Sequence, residues 1–410
     1  MHRKKKPNTK QAQKHLAAQY RADFFHKMKL IIDNVCGNHI FPLIPAYILK
    51  DAYLYRSAPF TYQADPESNI PSSILKNSKE VLPLLIKHET ILIPPHNLEI
   101  SLYDYFTVVY TIMILNACIS DATFDKAHIV KNALNYFSKD TNTEETAHRK
   151  MYITLYLHNY DECDLRKIVY WYRHDTVIPK TAPAETKNII TIYSVKAENI
   201  RVKVDGMVRP AFRVGWAFAY TGAKWLSLEP SLIGFKSPFA GIPLKVYIQS
   251  HALNRLSERI DCFWTGIVQY NMYMSLEKPK FTYDNHNNLL IEYDFFDTKA
   301  GYFRVEIVND IILIRTFLFI TNNGTPEGQL LDNNTGLQKL DKKYLNIDKL
   351  STFMNSDLDK NKEVQEIFKR SGCQCLIDLY TRMKTLIIKK DKSFNFDVML
   401  SYINPYNTNT

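Results

Sequence analysis

Glycine is scarce in this sequence, with 12 residues among 410, whereas tyrosine and phenylalanine are plentiful at 26 and 22. Neither the G-x-x-x-x-G-K-[ST] nor the G-x-G-x-x-G pattern of phosphate-cradling loops occurs. The six cysteines are scattered, and the C-x-C at Cys373 and Cys375 has no second pair to complete a zinc site. We therefore expect no metal site, no cofactor, and reduced thiols in a cytoplasmic protein.

Long apolar runs are also missing. The longest one extends from Tyr105 to Ile119 and is interrupted by Thr107, Thr111 and Asn116. It falls short of the roughly 20 residues that a helix needs to cross a bilayer. The lysines near the N-terminus are not followed by the apolar segment of a signal peptide. We expect no membrane association and interpret the apolar run as a buried core helix.

Positive charge is concentrated at one end of the chain. The net charge is +10, and residues 1–30 alone carry +8, with nine lysines and arginines against Asp23. Such an arm is typical of segments that bind RNA or another nucleic acid, although a disordered, solubilising tail has the same composition. The candidate contact residues of the arm are Arg3, Lys4, Lys5, Lys6, Lys10 and Lys14.

The hydrophobic periodicity changes from helical to alternating near residue 188, which predicts an α+β protein. We expect a helical N-terminal domain that could hold a protein partner, then an antiparallel-sheet domain with packed helices and a helical C-terminal segment. The predicted boundaries are a flexible arm at 1–14, the helical domain at 15–178, a linker at 179–187, the α+β domain at 188–345, C-terminal helices at 346–390 and a tail at 391–410.

Within these domains the patterns predict individual elements. Helices are expected at 15–35, 74–87, 101–119, 125–138, 144–158, 250–260, 263–275, 346–356 and 361–388, with another short one at 164–172. Strands are expected at 188–194, 200–204, 207–219, 244–248, 279–284, 289–296, 301–308 and 311–321. Residues 322–345 are polar and rich in asparagine, which indicates a loop.

The helix at 250–260 carries the most specific pattern. At about 100° per residue, His251, Arg255 and Arg259 fall on one face, opposite Leu253 and Leu256. An imidazole can move a proton near neutral pH, and a guanidinium offers a planar fork that matches a phosphate. This column is therefore a candidate site.

The sequence around this helix resembles the barnase–EndoU–colicin–RelE ribonuclease superfamily over about residues 246–321. Small toxin-like members carry His-Ala-x-x-Arg-x-x-x-Arg on the helix that precedes a four-stranded sheet, and His251, Ala252, Arg255 and Arg259 match it. The resemblance implies metal-independent RNA cleavage by a protein of toxin or mobile-element type. It implies that His251 is the base or acid and that Arg255 and Arg259 hold the phosphate.

The strands after the helix offer further candidates. Arg315 lies in a strand that is apolar on both faces, so its charge must be paired or must reach a cleft. Alternation places Tyr302, Arg304 and Glu306 on one face of the neighbouring strand. Arg315 is thus a candidate catalytic residue, and the candidate substrate-binding residues are Arg304, Tyr302, Thr316 and Thr321.

Two other hypotheses explain the same residues. An i,i+3 pair of Arg255 with Glu258 and an Arg315–Glu306 ion pair would make the column an ordinary surface. Residues 241–325 also carry eight lysines and arginines against nine acids, which is not the positive field expected of a ribonuclease. The alternative is a non-enzymatic nucleic-acid-binding or assembly protein that uses the basic arm and an aromatic and basic hairpin at 200–225, with Arg209, Arg213, Trp216, Lys224 and Trp225.

Overall fold

The computed structural model describes residues 9–177, 185–235, 241–356 and 358–383, with residues 396, 399, 400 and 403. The chain divides into two compact units. The first unit comprises Met1–Asn159 and Trp171–Ser194, and the second comprises Tyr160–Tyr170 and Val195–Thr410. The predicted linker at 179–187 lies largely outside the described residues, and the chain changes from one unit to the other at Tyr160, Trp171 and Val195.

Helices dominate the first unit. Helix α1 begins at Thr9, six residues before the predicted start, so residues 9–14 of the predicted arm are helical and residues 1–8 lie outside the described part. A π-helical turn at Tyr105–Val109 joins the helices Leu102–Asp104 and Tyr110–Cys118 within the apolar run, and all of its residues are buried. The helices are α1 (Thr9–Cys36), α2 (Ala46–Leu54), α3 (Ser72–His88), α4 (Leu102–Asp104), α5 (Tyr110–Cys118), α6 (Ala127–Lys139) and α7 (Thr141–Glu162).

The first unit also contains strands, which the prediction of a helical domain at 15–178 did not include. Strands β2 (Thr90–Ile93) and β3 (Leu98–Ser101) form a small antiparallel pair. Strands β1 (Thr61–Ala64), β4 (Val169–Val177) and β5 (Lys187–Val195) form a three-stranded sheet in the order β1-β5-β4. The segment predicted as a short helix at 164–172 enters β4 instead, and β5 pairs in parallel with β1 rather than opening the second domain.

An eight-stranded mixed sheet forms the centre of the second unit. Its order is β12-β13-β14-β15-β11-β7-β6, with β10 paired to β11. Strands β12 to β15 form the expected antiparallel meander. The last strand of the meander, β15, also pairs in parallel with β11. The eight strands of this sheet are β6 (Asn199–Val204), β7 (Met207–Arg213), β10 (Ser227–Leu228), β11 (Leu244–Gln249), β12 (Phe281–Tyr283), β13 (Leu289–Phe295), β14 (Thr298–Val308) and β15 (Ile311–Phe319). Strands β8 (Gly215–Phe218) and β9 (Gly222–Trp225) form a separate two-stranded sheet.

Two helices connect β11 to the meander and cover one face of this sheet. Helix α8 (Ser250–Arg259) packs against β15 through Ala252, Leu253 and Leu256, which are all buried. Helix α9 (Thr265–Glu277) packs against β13, where the Tyr293 hydroxyl donates to the Val268 carbonyl at 3.2 Å. The predicted helices at 250–260 and 263–275 are thus confirmed, and α8 is held in place by its apolar side.

The hairpin between β6 and β7 turns at Asp205 and Gly206, as predicted, and both residues have positive φ angles. The expected single strand at 207–219 is broken at Val214 into β7 and β8. Proline at position 210 is tolerated in β7 because β11 pairs only with the residues from Ala211 onward.

The C-terminal segment differs from the prediction in two places. Residues 322–345 contain α10 (Pro326–Thr335) and α11 (Lys339–Tyr344) rather than a loop. Thr325 caps α10 by accepting from the Gly328 amide, and Gly336 ends it in the left-handed region. Helix α12 (Leu350–Met354) lies within the predicted helix at 346–356. The predicted helix at 361–388 is divided at Gly372 into α13 (Lys362–Arg370) and α14 (Gln374–Met383), and residues 384–388 lie outside the described residues, as does most of the predicted tail at 391–410.

The α+β class is confirmed, since helices occur at both ends of the chain and antiparallel-rich sheets lie between them. None of the described helices is both long and apolar enough to cross a lipid bilayer.

Candidate functional site

Helix α8 turns its polar side away from the sheet. His251 is exposed near its first turn, and Arg255 follows one turn later. The Arg255 guanidinium donates to Glu258 at 2.9 Å, the i,i+3 pair that the spacing allows. Two of the three column residues are therefore at the surface, and one of them shares its charge with a neighbouring acid.

The third column residue has a different environment. Arg259 forms an ion pair with Asp348 and also donates to the Asp348 carbonyl at 3.3 Å. Asp348 is buried and lies 89 residues further along the chain. Arg259 thus fixes the end of α8 to the segment before α12, and its guanidinium is occupied by a protein carboxylate.

Arg315 lies at an irregularity in the central strand. In the β14–β15 register Arg304 is opposite Thr316 and Val305 is opposite Ile314, so Arg315 is the extra residue of a β-bulge. Its guanidinium donates to Glu306 at 2.6 Å and to Asp205 at 2.7 Å. The predicted position in a central strand is confirmed, and the arginine is neutralised by two acids.

Two further arginines flank this group on the same face of the sheet. Arg209 of β7 is opposite Val202, which packs with Tyr247 and Leu313 on that face. Its guanidinium has one hydrogen bond among the described residues, to the Met207 sulfur at 3.9 Å. Arg304 of β14 is exposed and donates to the Asn288 Oδ1 at 2.7 Å. Neither forms a salt bridge with a described residue.

The pKa shifts link α8 to this face. Desolvation of the imidazole lowers the pKa of His251, and the charges of Arg255 and Arg209 lower it further, while Glu258 opposes them. The imidazole is therefore neutral at neutral pH. The hydrogen bond and charge of Arg315 are the main causes of a lowered pKa of Asp205, to which Arg209 and Arg304 add. We call the group His251, Arg255, Arg209, Arg315 and Arg304 the arginine surface.

The remaining candidates from the meander have other roles. The Tyr302 hydroxyl is buried and donates to the Glu327 carboxylate at 2.8 Å. The Thr321 hydroxyl is buried and donates to the Ile347 carbonyl at 2.7 Å. Both therefore hold C-terminal segments, although alternation along β14 is as predicted. Thr316 is half-buried opposite Arg304 and is the hydroxyl that lies beside the arginine surface.

The aromatic and basic segment at 200–225 does not form one face. It consists of the β6–β7 hairpin and a separate β8–β9 hairpin. Trp216 is 1% exposed and thus belongs to the core. Arg213 forms an ion pair with Glu198 at 3.5 Å. Arg209 is the member of this segment that joins the arginine surface, and sequence reasoning did not connect it with His251 because the two lie in different elements.

The basic arm is only partly described. Arg3, Lys4, Lys5 and Lys6 lie outside the described residues, as does the side chain of Lys10, and Lys14 is exposed on α1. Within the described part of the chain, no three histidine, cysteine, aspartate or glutamate side chains are grouped so that they could hold a metal ion.

Comparison with protein-family models, with curated proteins and with solved structures finds no match for this chain. The resemblance of residues 246–321 to ribonucleases stays a prediction, and the function is inferred from the arginine surface itself.

Proposed function

We propose that the protein binds single-stranded nucleic acid through the arginine surface without cleaving it. The observation that carries this proposal is the state of Arg209 and Arg304. Both lie on one sheet face, and their guanidiniums donate to neutral acceptors only, a thioether sulfur and a carboxamide oxygen. Positive groups without an acidic partner on one face are the electrostatic footprint of a phosphate-binding surface.

The spacing of these arginines suits a strand rather than a single phosphate. Arg209 is on β7 and Arg304 on β14, and β11 and β15 lie between them. The two guanidiniums therefore start from separate, non-adjacent strands of this face. A flexible single strand can place successive phosphates at both of them, and each guanidinium can hold one phosphate in a bidentate manner.

The acids on this surface set how strong the binding is. Asp205 and Glu306 bring two negative charges to the single positive charge of Arg315, and Glu258 pairs with Arg255. Binding is therefore expected to be moderate, dependent on salt, and largely indifferent to sequence at the phosphates.

Fluorescence anisotropy with labelled single-stranded RNA and DNA tests the proposal. For a single strand, each phosphate contact adds about 0.7 to the magnitude of the slope of log K against log salt concentration. Arg209→Ala and Arg304→Ala each remove one contact, so each should reduce the magnitude of the slope by about 0.7. The matched control is Arg201→Ala, an exposed arginine of the same hairpin that lies opposite Pro210 on the other sheet face. Equal slopes for the wild type and the Arg209→Ala/Arg304→Ala double variant would refute the proposal.

A metal-independent ribonuclease is the second candidate. The observation that favours it is that His251 is exposed and neutral beside Arg255 and Arg209, as a general base for a ribose hydroxyl needs to be. Incubation of the bound RNA with excess chelator decides between the two. Intact RNA supports binding alone, whereas cleavage that disappears in folded His251→Ala supports the ribonuclease.

A further inference from the structure

A polar cleft adjoins Arg304 in the second unit. It measures about 250 Å³ and lies between the β12–β13 turn and the start of α10. Its volume is just under the range of roughly 300–1,000 Å³ that is typical of sites for drug-sized ligands. It therefore suits one small group of a larger ligand. The cleft is lined by Asp284, Asn285, His286, Asn323, Gly324, Thr325, Pro326 and Gln329.

The carboxylate in the cleft excludes a phosphate. Burial raises the pKa of Asp284, but hydrogen bonds from Asn288 and from the His286 amide, with the charge of Arg304, outweigh it and keep the pKa below its usual range. Asp284 is thus negatively charged at neutral pH and repels an anion. The group that enters is therefore not an anion, and it must offer hydrogen-bond donors to the carboxylate.

Several side chains that line the cleft can accept a hydrogen bond from such a group. The Asp284 Oδ1 accepts from the amides of His286 and Asn288, at 2.9 and 2.8 Å, and its Oδ2 accepts from the Asn288 side chain at 2.7 Å. One of the roughly four lone-pair positions of the carboxylate is left. The Gln329 side chain donates to Asn333 at 3.3 Å through its nitrogen, and its oxygen has no hydrogen bond to a described residue. Asp284 and Gln329 therefore each offer an acceptor to a ligand with neighbouring N–H groups, and the buried Asn323 Oδ1, which has no hydrogen bond to a described residue, is a further acceptor in the lining.

A hydrogen-bonded chain connects the cleft to the arginine surface. Arg304 donates to the Asn288 Oδ1, and Asn288 donates in turn to Asp284, both at 2.7 Å. A phosphate at Arg304 and an uncharged group in the cleft can therefore belong to the same nucleotide strand. These two hydrogen bonds fix the position of Asp284 relative to Arg304, so the cleft lies at a defined distance from a phosphate bound at Arg304.

We propose that the cleft binds a nucleobase of the strand held by Arg304 and that it prefers guanine. The Watson–Crick edge of guanine carries two adjacent donors, N1–H and the N2 amino group, whereas each of the other bases offers a single donor group there. Asp284 and Gln329 accept from these two donors. This inference rests on the proposed function, because the strand must first lie on the arginine surface.

The test compares single-stranded uridine oligomers that are identical except for guanine, adenine or cytosine at the central positions. One additional hydrogen bond predicts that the full chain binds the guanine oligomer about fivefold to tenfold more tightly than the others. Gln329→Ala and Asp284→Asn should each abolish this ratio. Gln374 is an exposed glutamine on α14, outside the cleft, and Gln374→Ala is the matched control. This variant should keep the guanine preference.

Each outcome has a separate meaning. Binding of all the oligomers with equal affinity would overturn the guanine site and leave the proposed function intact. A guanine preference that survives in folded Gln329→Ala and Asp284→Asn would place recognition elsewhere and also overturn it. Failure of every oligomer to bind would refute the proposed function and the inference with it. Gln329 is half-buried near the start of α10, so Gln329→Ala gives a decisive result even if Asp284→Asn does not fold.

Discussion

His251 shows how far local spacing predicts an environment. The positions of His251, Arg255 and Glu258 within one helix fix which of them are neighbours, and the Arg255–Glu258 pair follows from three-residue spacing. Arg259 obeys the same helical geometry, yet its partner is Asp348, 89 residues away. A long-range partner such as Asp348 depends on how α8 packs on the sheet, and the residue spacing within the helix does not predict that packing.

The lowered pKa of His251 gives a prediction at this scale. Arg209→Ala removes one of the positive charges that disfavour the imidazolium, so the pKa of His251 should rise toward its usual value. NMR titration of the histidine side chains measures this, with His251→Gln used to assign the signal. Arg201→Ala, on the opposite sheet face, should leave the pKa unchanged. An identical His251 titration in Arg209→Ala would show that the two groups do not interact.

At the scale of elements, hydrophobic periodicity predicts most of the helices and strands. The errors lie where capping residues determine the start or the end of a helix. The segment at 322–345 has few apolar residues, but Thr325 and Pro326 start α10 and Gly336 ends it. The apolar pattern at 361–388 continues through Gly372, where a left-handed backbone divides the helix. The parallel pairing of β11 with β15 is also non-local, so the four-strand meander could be predicted and the eight-stranded sheet could not.

The two helix-ending glycines predict different costs for the same substitution. Gly336 and Gly372 have φ angles of 72° and 77°, so Gly336→Ala and Gly372→Ala each place an L-residue in the left-handed region, which costs about 1 kcal/mol. A Cβ at Gly336 meets nothing within 4 Å, whereas one at Gly372 lies 3.3 Å from the Glu327 Cγ. Glu327 cannot yield freely because its carboxylate accepts from Tyr302 and Lys299.

Gly372→Ala should therefore lower the free energy of unfolding by about 1 kcal/mol more than Gly336→Ala does. Urea denaturation of the two full-length variants measures the difference. Equal losses would mean that the Glu327 side chain moves aside without cost.

At the scale of the whole molecule, charge is divided between the N-terminal segment and the arginine surface. Residues 1–30 carry +8 of the net +10, so composition alone points to the arm as the nucleic-acid contact. The described face adds Arg209 and Arg304, which contribute without a high local net charge because acids neutralise their neighbours. If both contact phosphates independently, their contributions to the salt dependence of binding should add.

Deletion of residues 2–8 separates the two contributions. It removes Arg3, Lys4, Lys5 and Lys6, and at about 0.7 per phosphate contact it should lower the salt slope by up to about 3. The Arg209→Ala/Arg304→Ala double variant should lower it by about 1.4, and the combination should show the sum. Anisotropy titrations between about 50 and 200 mM salt measure the slope for the wild type and the three variants.

The arm contacts phosphates without reading the base sequence, so the deletion should keep the guanine preference. A deletion that removes the preference would locate base recognition in the arm, and an unchanged slope would show that the arm makes no phosphate contacts.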